Sequence, residues 1–135
     1  MLVRIQEEPI DFQQLINSMR NVEAGAIVTF LGTVRNTSGS IPVTGLYYES
    51  YAEMAEKSIK GIMDEAIFRF SVIDVSVIHR IGHLGLMEDS VAVCVSAPHR
   101  KDAFHACEFV IDRIKETAPI WKKDLGVDGK EIWRD

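Results

Sequence analysis

Residues 114–124 read IKETAPIWKKD, with Lys115 ahead of a proline and Lys122 seven positions later, around the apolar pair Ile120 and Trp121. A break in the chain at Pro119 could turn both ammonium groups toward one site, with Trp121 as a wall. A lysine partly desolvated beside other cations has a lowered pKa, which frees its amine for proton transfer or nucleophilic attack. The same spacing fits an ordinary helix end equally well, and Lys122–Lys123 before Asp124 also reads as an exposed charged turn.

Other cations cluster where elements end. Arg35 follows one apolar run, His79 and Arg80 close another, and His99 and Arg100 open a long amphipathic segment. Unpaired backbone N–H groups and the dipole at a helix start favour an anion, and an arginine there adds a planar fork that matches phosphate oxygens. Together, Arg35, His99, Arg100, Lys115 and Lys122 describe a cradle for phosphate or carboxylate. Singly, each has a plainer reading: Arg35 as a solvated charge after a strand, His79 as a hydrogen-bonded structural histidine. His79 and His83 are four apart in a strand-and-turn setting with no supporting carboxylate or thiolate, so no metal site is predicted. Cys94 and Cys107 form no CxxC pair and read as buried, reduced thiols.

The elements that must hold these groups follow from periodicity. A short helix is expected over 10–20, where Ile10, Leu15, Ile16 and Met19 recur behind Asp11 as a cap. Residues 24–34 read as a buried strand, 36–40 as a loop, and 43–50 as a second strand antiparallel to the first. Residues 52–70 change to helical spacing, with Ala55, Ile59, Ile62, Met63 and Ala66 on one face. A strand at 72–80, a turn bracketed by Gly82 and Gly85, and a strand at 89–97 come next. A second long helix over 101–117 ends at Pro119, whose ring forbids continuation. The tail holds a turn at Asp128–Gly129 and a short strand at Glu131–Trp133. This order predicts an α+β fold, with helices on one face of a mainly antiparallel sheet.

Bulk properties narrow the function classes. A chain of 135 residues suits one domain, 1–135, with a core large enough to need no disulfide or metal. The formal net charge of −5 argues against a nucleic-acid partner, although it permits a local cationic pocket. Glu7 and Glu8 interrupt any signal-peptide run, and no stretch approaches the ~20 apolar residues of a membrane span. A cytoplasmic protein is expected.

Five segments carry a resemblance: GAIVTFLGTVRN at 25–36, LYYESYAEMAEK at 46–57, VIHRIG at 77–82, SAPHRKDAF at 96–104 and IKETAPIWKKD at 114–124. In this order they resemble the large, catalytic subunit of molybdopterin synthase. The resemblance implies an α/β hammerhead-type fold and a homodimer that binds a small ubiquitin-like sulfur carrier on each subunit, making a heterotetramer. It further implies that the carrier's C-terminal Gly-Gly thiocarboxylate gives its sulfur to cyclic pyranopterin monophosphate (precursor Z), forming the dithiolene of molybdopterin. On that resemblance, Arg35, His99 and Arg100 match pocket residues for the phosphorylated pterin. Lys115 and Lys122 match an essential lysine pair with catalytic and substrate-binding roles, while His79 and Arg80 fall in an element read as partly structural. No cofactor is implied, and neither cysteine is needed, because the sulfur arrives on the partner.

Two other readings use the same residues. A non-catalytic α+β module could bind a small anionic metabolite through the same cations. An adaptor subunit could assemble through Tyr47, Tyr48 and Tyr51, although tyrosines at strand positions commonly pack a sheet face.

Overall fold

Apolar residues at alternate positions of Asp74–Arg80 (β5) and Asp89–Ala97 (β7) place Val75 and Val77, and Val91, Val93 and Val95, on one face of a sheet. The opposite face carries Ile78, Ala92 and Cys94. This period of two builds a strand buried on both sides. The sheet is completed by Leu2–Gln6 (β1), parallel to β5, and by Ala26–Thr33 (β2), antiparallel to β7, in the order β1-β5-β7-β2. The computed structural model describes residues 1–134.

The helices Ala52–Arg69 (α2) and Arg100–Thr117 (α3) cover the valine face. Ile59, Ile62, Met63 and Ala66 of α2, and Ala103, Ala106, Cys107, Val110, Ile111 and Ile114 of α3, form the main core with those valines. Each fully buried valine or isoleucine contributes roughly 1.5–3 kcal/mol before entropy is charged against it. The short helix Phe12–Ser18 (α1) begins at Asp11, whose carboxylate accepts from the Gln14 backbone N–H at 3.0 Å. It seats Leu15 on the opposite face of the sheet, and Met19, its C-cap, joins that cluster. The predicted α+β class holds, with helices on both faces of this sheet.

A second sheet was not anticipated. Thr37–Ser38 (β3), Ile41–Ser50 (β4), Ile120–Gly126 (β8) and Glu131–Arg134 (β9) pair in that order, and Gly82–Gly85 (β6) adds to β4. The strand expected to lie against β2 is β4, which instead pairs with β3, β6 and β8. The 36–40 loop is a tight hairpin turning at Gly39, whose φ of 61° suits glycine. The segment bracketed by Gly82 and Gly85 is strand, and the turn follows at Leu86–Met87. Pro119 ends α3 as predicted, with Ala118 extended at φ −70°, ψ 137°, but the chain then runs as β8 and not as a charged turn. Local patterning gave no sign of β6 or β8, because their pairing to β4 is satisfied by distant backbone groups.

Candidate active site

The two sheets meet beneath the C-terminal end of α3, leaving a cavity of about 520 Å³. Its floor is one transverse row of the first sheet, where Gly32 faces Val91 and Val91 faces His79. The last turns of α3 supply Ile111, Ile114 and Lys115. The second sheet supplies another row, in which Lys122 of β8 lies between Tyr48 of β4 and Arg134 of β9. Arg35, just past β2, completes the cationic lining. Gly32 keeps that floor open, since a Cβ would stand 2.8 Å from Val91 Cγ1 and 3.2 Å from Ser90 Oγ and those side chains would have to shift to admit it.

The expected convergence of Arg35, Lys115 and Lys122 is therefore present. Burial depresses the Lys122 pKa below the ordinary lysine value, and Lys115, Arg134 and Arg35 add to that effect while Asp124 opposes it. Asp124 is 1% exposed, and its Oδ2 accepts from Arg134 Nε at 2.6 Å. Burial works against its ionisation, but the hydrogen bond from Arg134, the nearby Ser38 hydroxyl and the charges of Arg134 and Lys122 prevail, so its pKa lies below the usual value. Asp124 thereby fixes Arg134 and offsets charge at the cavity edge. Burial also raises the pKa of Tyr48, against the opposing influence of the nearby Ser90 hydroxyl.

His99 and Arg100 are not in this cavity. They are exposed at the start of α3, and fifteen residues at 1.5 Å per residue put Arg100 about 22 Å along the helix from Lys115. A helix long enough to cover the sheet separates what the sequence suggested as one cradle. Trp121 is no wall either: it faces outward, 40% exposed, edge-on to Tyr51 at 5.4 Å. Arg80 is structural, donating to the Glu7 carbonyl at 2.8 Å and to Glu88 at 3.2 Å.

Four contributors were missed or undervalued: Arg134, Asp124, Tyr48 and His79. Arg134 carried no signal, because its place beside Lys122 depends on the β8–β9 register. Burial drives both thiols upward, Cys94 to about 12 and Cys107 to about 11, so neither is primed as a nucleophile. Among the described residues no group of three or more His, Cys, Asp or Glu is placed to hold a metal, and no helix is long and apolar enough to cross a membrane.

The lining can hold an anion against three or four fixed cations while keeping an amine of lowered pKa beside it. The family model described as MoaE protein matches residues 5–117. The molybdopterin synthase catalytic subunit of Thermoplasma volcanium is 52% identical over 131 residues, covering 97% of this chain and 96% of that one. The crystal structure of molybdopterin synthase from Staphylococcus aureus superposes with a TM-score of 0.91 at 41% identity, over 97% of this chain and 95% of that one. A complex of subunits 1 and 2 of molybdopterin-converting factor from Helicobacter pylori shares the fold, with a TM-score of 0.81 at 23% identity, over 100% and 91% of the two chains. A family model matched over most of the chain, together with a relative of this identity and coverage, establishes that this chain belongs to the MoaE family of molybdopterin synthase catalytic subunits.

Proposed function

We propose that this chain, acting as one domain over 1–135, transfers sulfur from the C-terminal thiocarboxylate of a small ubiquitin-like carrier to precursor Z, forming the molybdopterin dithiolene. The observation that carries this reading is the convergence of Arg35, Lys115 and Lys122 on one cavity. Arg35 and the lysines neutralise the substrate phosphate and attract the anionic thiocarboxylate. Sulfur attack requires protons to reach departing oxygens, and Lys115 and Lys122 are the groups placed to move them. Lys122 suits that role because its amine is easier to deprotonate than an exposed one. The cavity's chemistry calls for no cofactor, because the carrier brings the sulfur, and the reaction belongs in the cytoplasm.

His99 and Arg100 enter this reading through the dimer. The resemblance assigns them to the substrate pocket and also implies a pair of catalytic subunits. Both implications hold if a second copy presents the start of its α3 to the cavity, since the same chain's α3 carries these residues away from it.

The test is direct. Incubating the chain with a thiocarboxylated carrier ending in Gly-Gly and with precursor Z should yield molybdopterin. Binding of precursor Z without conversion would favour the non-catalytic anion-binding module instead.

A further inference from the structure

His79 lines the cavity but differs in kind from its charged neighbours. It takes the third inward position of β5, after Val75 and Val77, and lies opposite Val91. Only 6% of it is accessible. Its Nδ1 is 2.7 Å from the Arg80 carbonyl oxygen. A carbonyl can only accept, so Nδ1 carries the hydrogen and donates it. In a neutral imidazole that leaves the lone pair on Nε2.

The ring is neutral. Burial pushes its pKa down to about 4, against the favourable bond to the Arg80 carbonyl and with help from the Lys115 charge. Tyr48 stands edge-on to it, 5.1 Å between ring centroids, which fixes the imidazole plane. Among the described residues Nε2 makes no hydrogen bond. Arg35, Lys115, Lys122 and Arg134 share the cavity with it and in their charged forms can only donate. The hydroxyls of Thr33, Thr37, Ser38, Tyr48 and Ser90 can donate or accept, which leaves Nε2 as the one side-chain nitrogen there set as an acceptor. No carboxylate lines the cavity among the described residues.

A phosphate and a thiocarboxylate are acceptors and suit those cations. A pterin ring system also carries N–H donors, and donors need a partner of the opposite kind. We propose that His79 is a substrate-contacting specificity residue whose Nε2 accepts a hydrogen bond from an N–H group of the pterin ring. The cavity would then recognise its substrate with two separate sets of groups, cations for the phosphate and a neutral, tautomer-locked imidazole for the ring. This inference rests on the pterin monophosphate reading given above.

The experiment compares wild type, His79→Leu and His79→Gln, each assembled with the carrier, for binding of precursor Z and of inorganic phosphate. His79→Leu should bind precursor Z about tenfold more weakly, the scale of one lost hydrogen bond, while phosphate affinity stays unchanged. Glutamine retains an acceptor oxygen and should recover part of the loss. In wild type, the 15N resonance of Nε2 should move when precursor Z is added and stay in place with phosphate. Equal precursor Z affinity in wild type and His79→Leu would overturn the proposal. So would a parallel loss of phosphate binding, or an Nε2 resonance already showing a hydrogen bond from Lys115 before substrate is added. A wild-type complex that cannot convert precursor Z would instead remove the functional reading beneath it, and that result is visible before any variant is made.

Discussion

Lys122 and Lys123 are sequence neighbours that β8 sends to opposite faces of the second sheet. Lys122 joins the cavity row between Tyr48 and Arg134. Lys123 joins the outer row, its Nζ 5.1 Å from the Tyr47 ring and 5.2 Å from the Trp133 ring, with Glu131 at 3.1 Å. One lysine is part of the chemistry, and the other clamps the sheet from outside.

Replacing each with alanine should separate the two roles. Lys122→Ala should lower molybdopterin formation by about 100-fold or more, as expected when a charge-stabilising or proton-moving group is removed. Lys123→Ala should leave turnover within about twofold and reduce stability by roughly 0.5–1 kcal/mol, the scale of an exposed cation–π contact and ion pair. Product assays and urea melts on both variants check this.

Lys115 sits at the roof of the cavity, on the last turn of α3. Lys115→Ala should abolish product formation while the carrier still co-purifies with the chain. Near-normal turnover in that variant would remove Lys115 from the chemistry.

Asp124 supports both Arg134 and the charged form of Lys122. Asp124→Asn should destabilise the fold by about 1–2 kcal/mol, at the low end for a broken buried pair because Arg134 keeps contact with solvent. It should also make the Lys122 ammonium easier to deprotonate. The loss of phosphate binding with rising pH, followed by calorimetry, should then begin at lower pH than in wild type.

The cavity floor leaves little room for a side chain at Gly32. Gly32→Ala drives a methyl group into Val91 and Ser90, which should cost about 1–3 kcal/mol and weaken precursor Z binding. Thermal unfolding and a binding titration together test this, and an unchanged variant on both would show that the floor yields.

Stability should also respond to the depressed pKa of His79. The folded ring titrates at about 4, well below the ordinary 6.5. As pH falls from 6.5 toward 4 the unfolded chain therefore takes up a proton that the folded chain refuses. The stabilisation is complete above 6.5 and is lost on acidification, by roughly 3 kcal/mol across that window. Asp124 acts in a lower range, since its stabilisation is present above the ordinary carboxylate value and lost below it. Urea unfolding of wild type and His79→Gln across this range should show a steeper acid loss for wild type.

The sequence by itself determined the elements whose evidence is local. Helical spacing marked all three helices, alternation of valines marked β5 and β7, and Pro119 marked the end of α3. It also identified Arg35, Lys115 and Lys122, because their types stand out at the ends of those elements. Tertiary structure alone decided the second sheet. The segments GHLG and IWKKDLG hold too little apolar alternation to announce strands, and their hydrogen bonds go to β4, far away in the chain. Register then assigned Lys122 inward and Lys123 outward, and brought Arg134 beside Lys122. A shift of one residue would have exchanged those faces, and nothing in a charged pair fixes that choice locally. Helix length settled the rest, since the rise of α3 between Arg100 and Lys115 carries one end of the expected cradle away from the other.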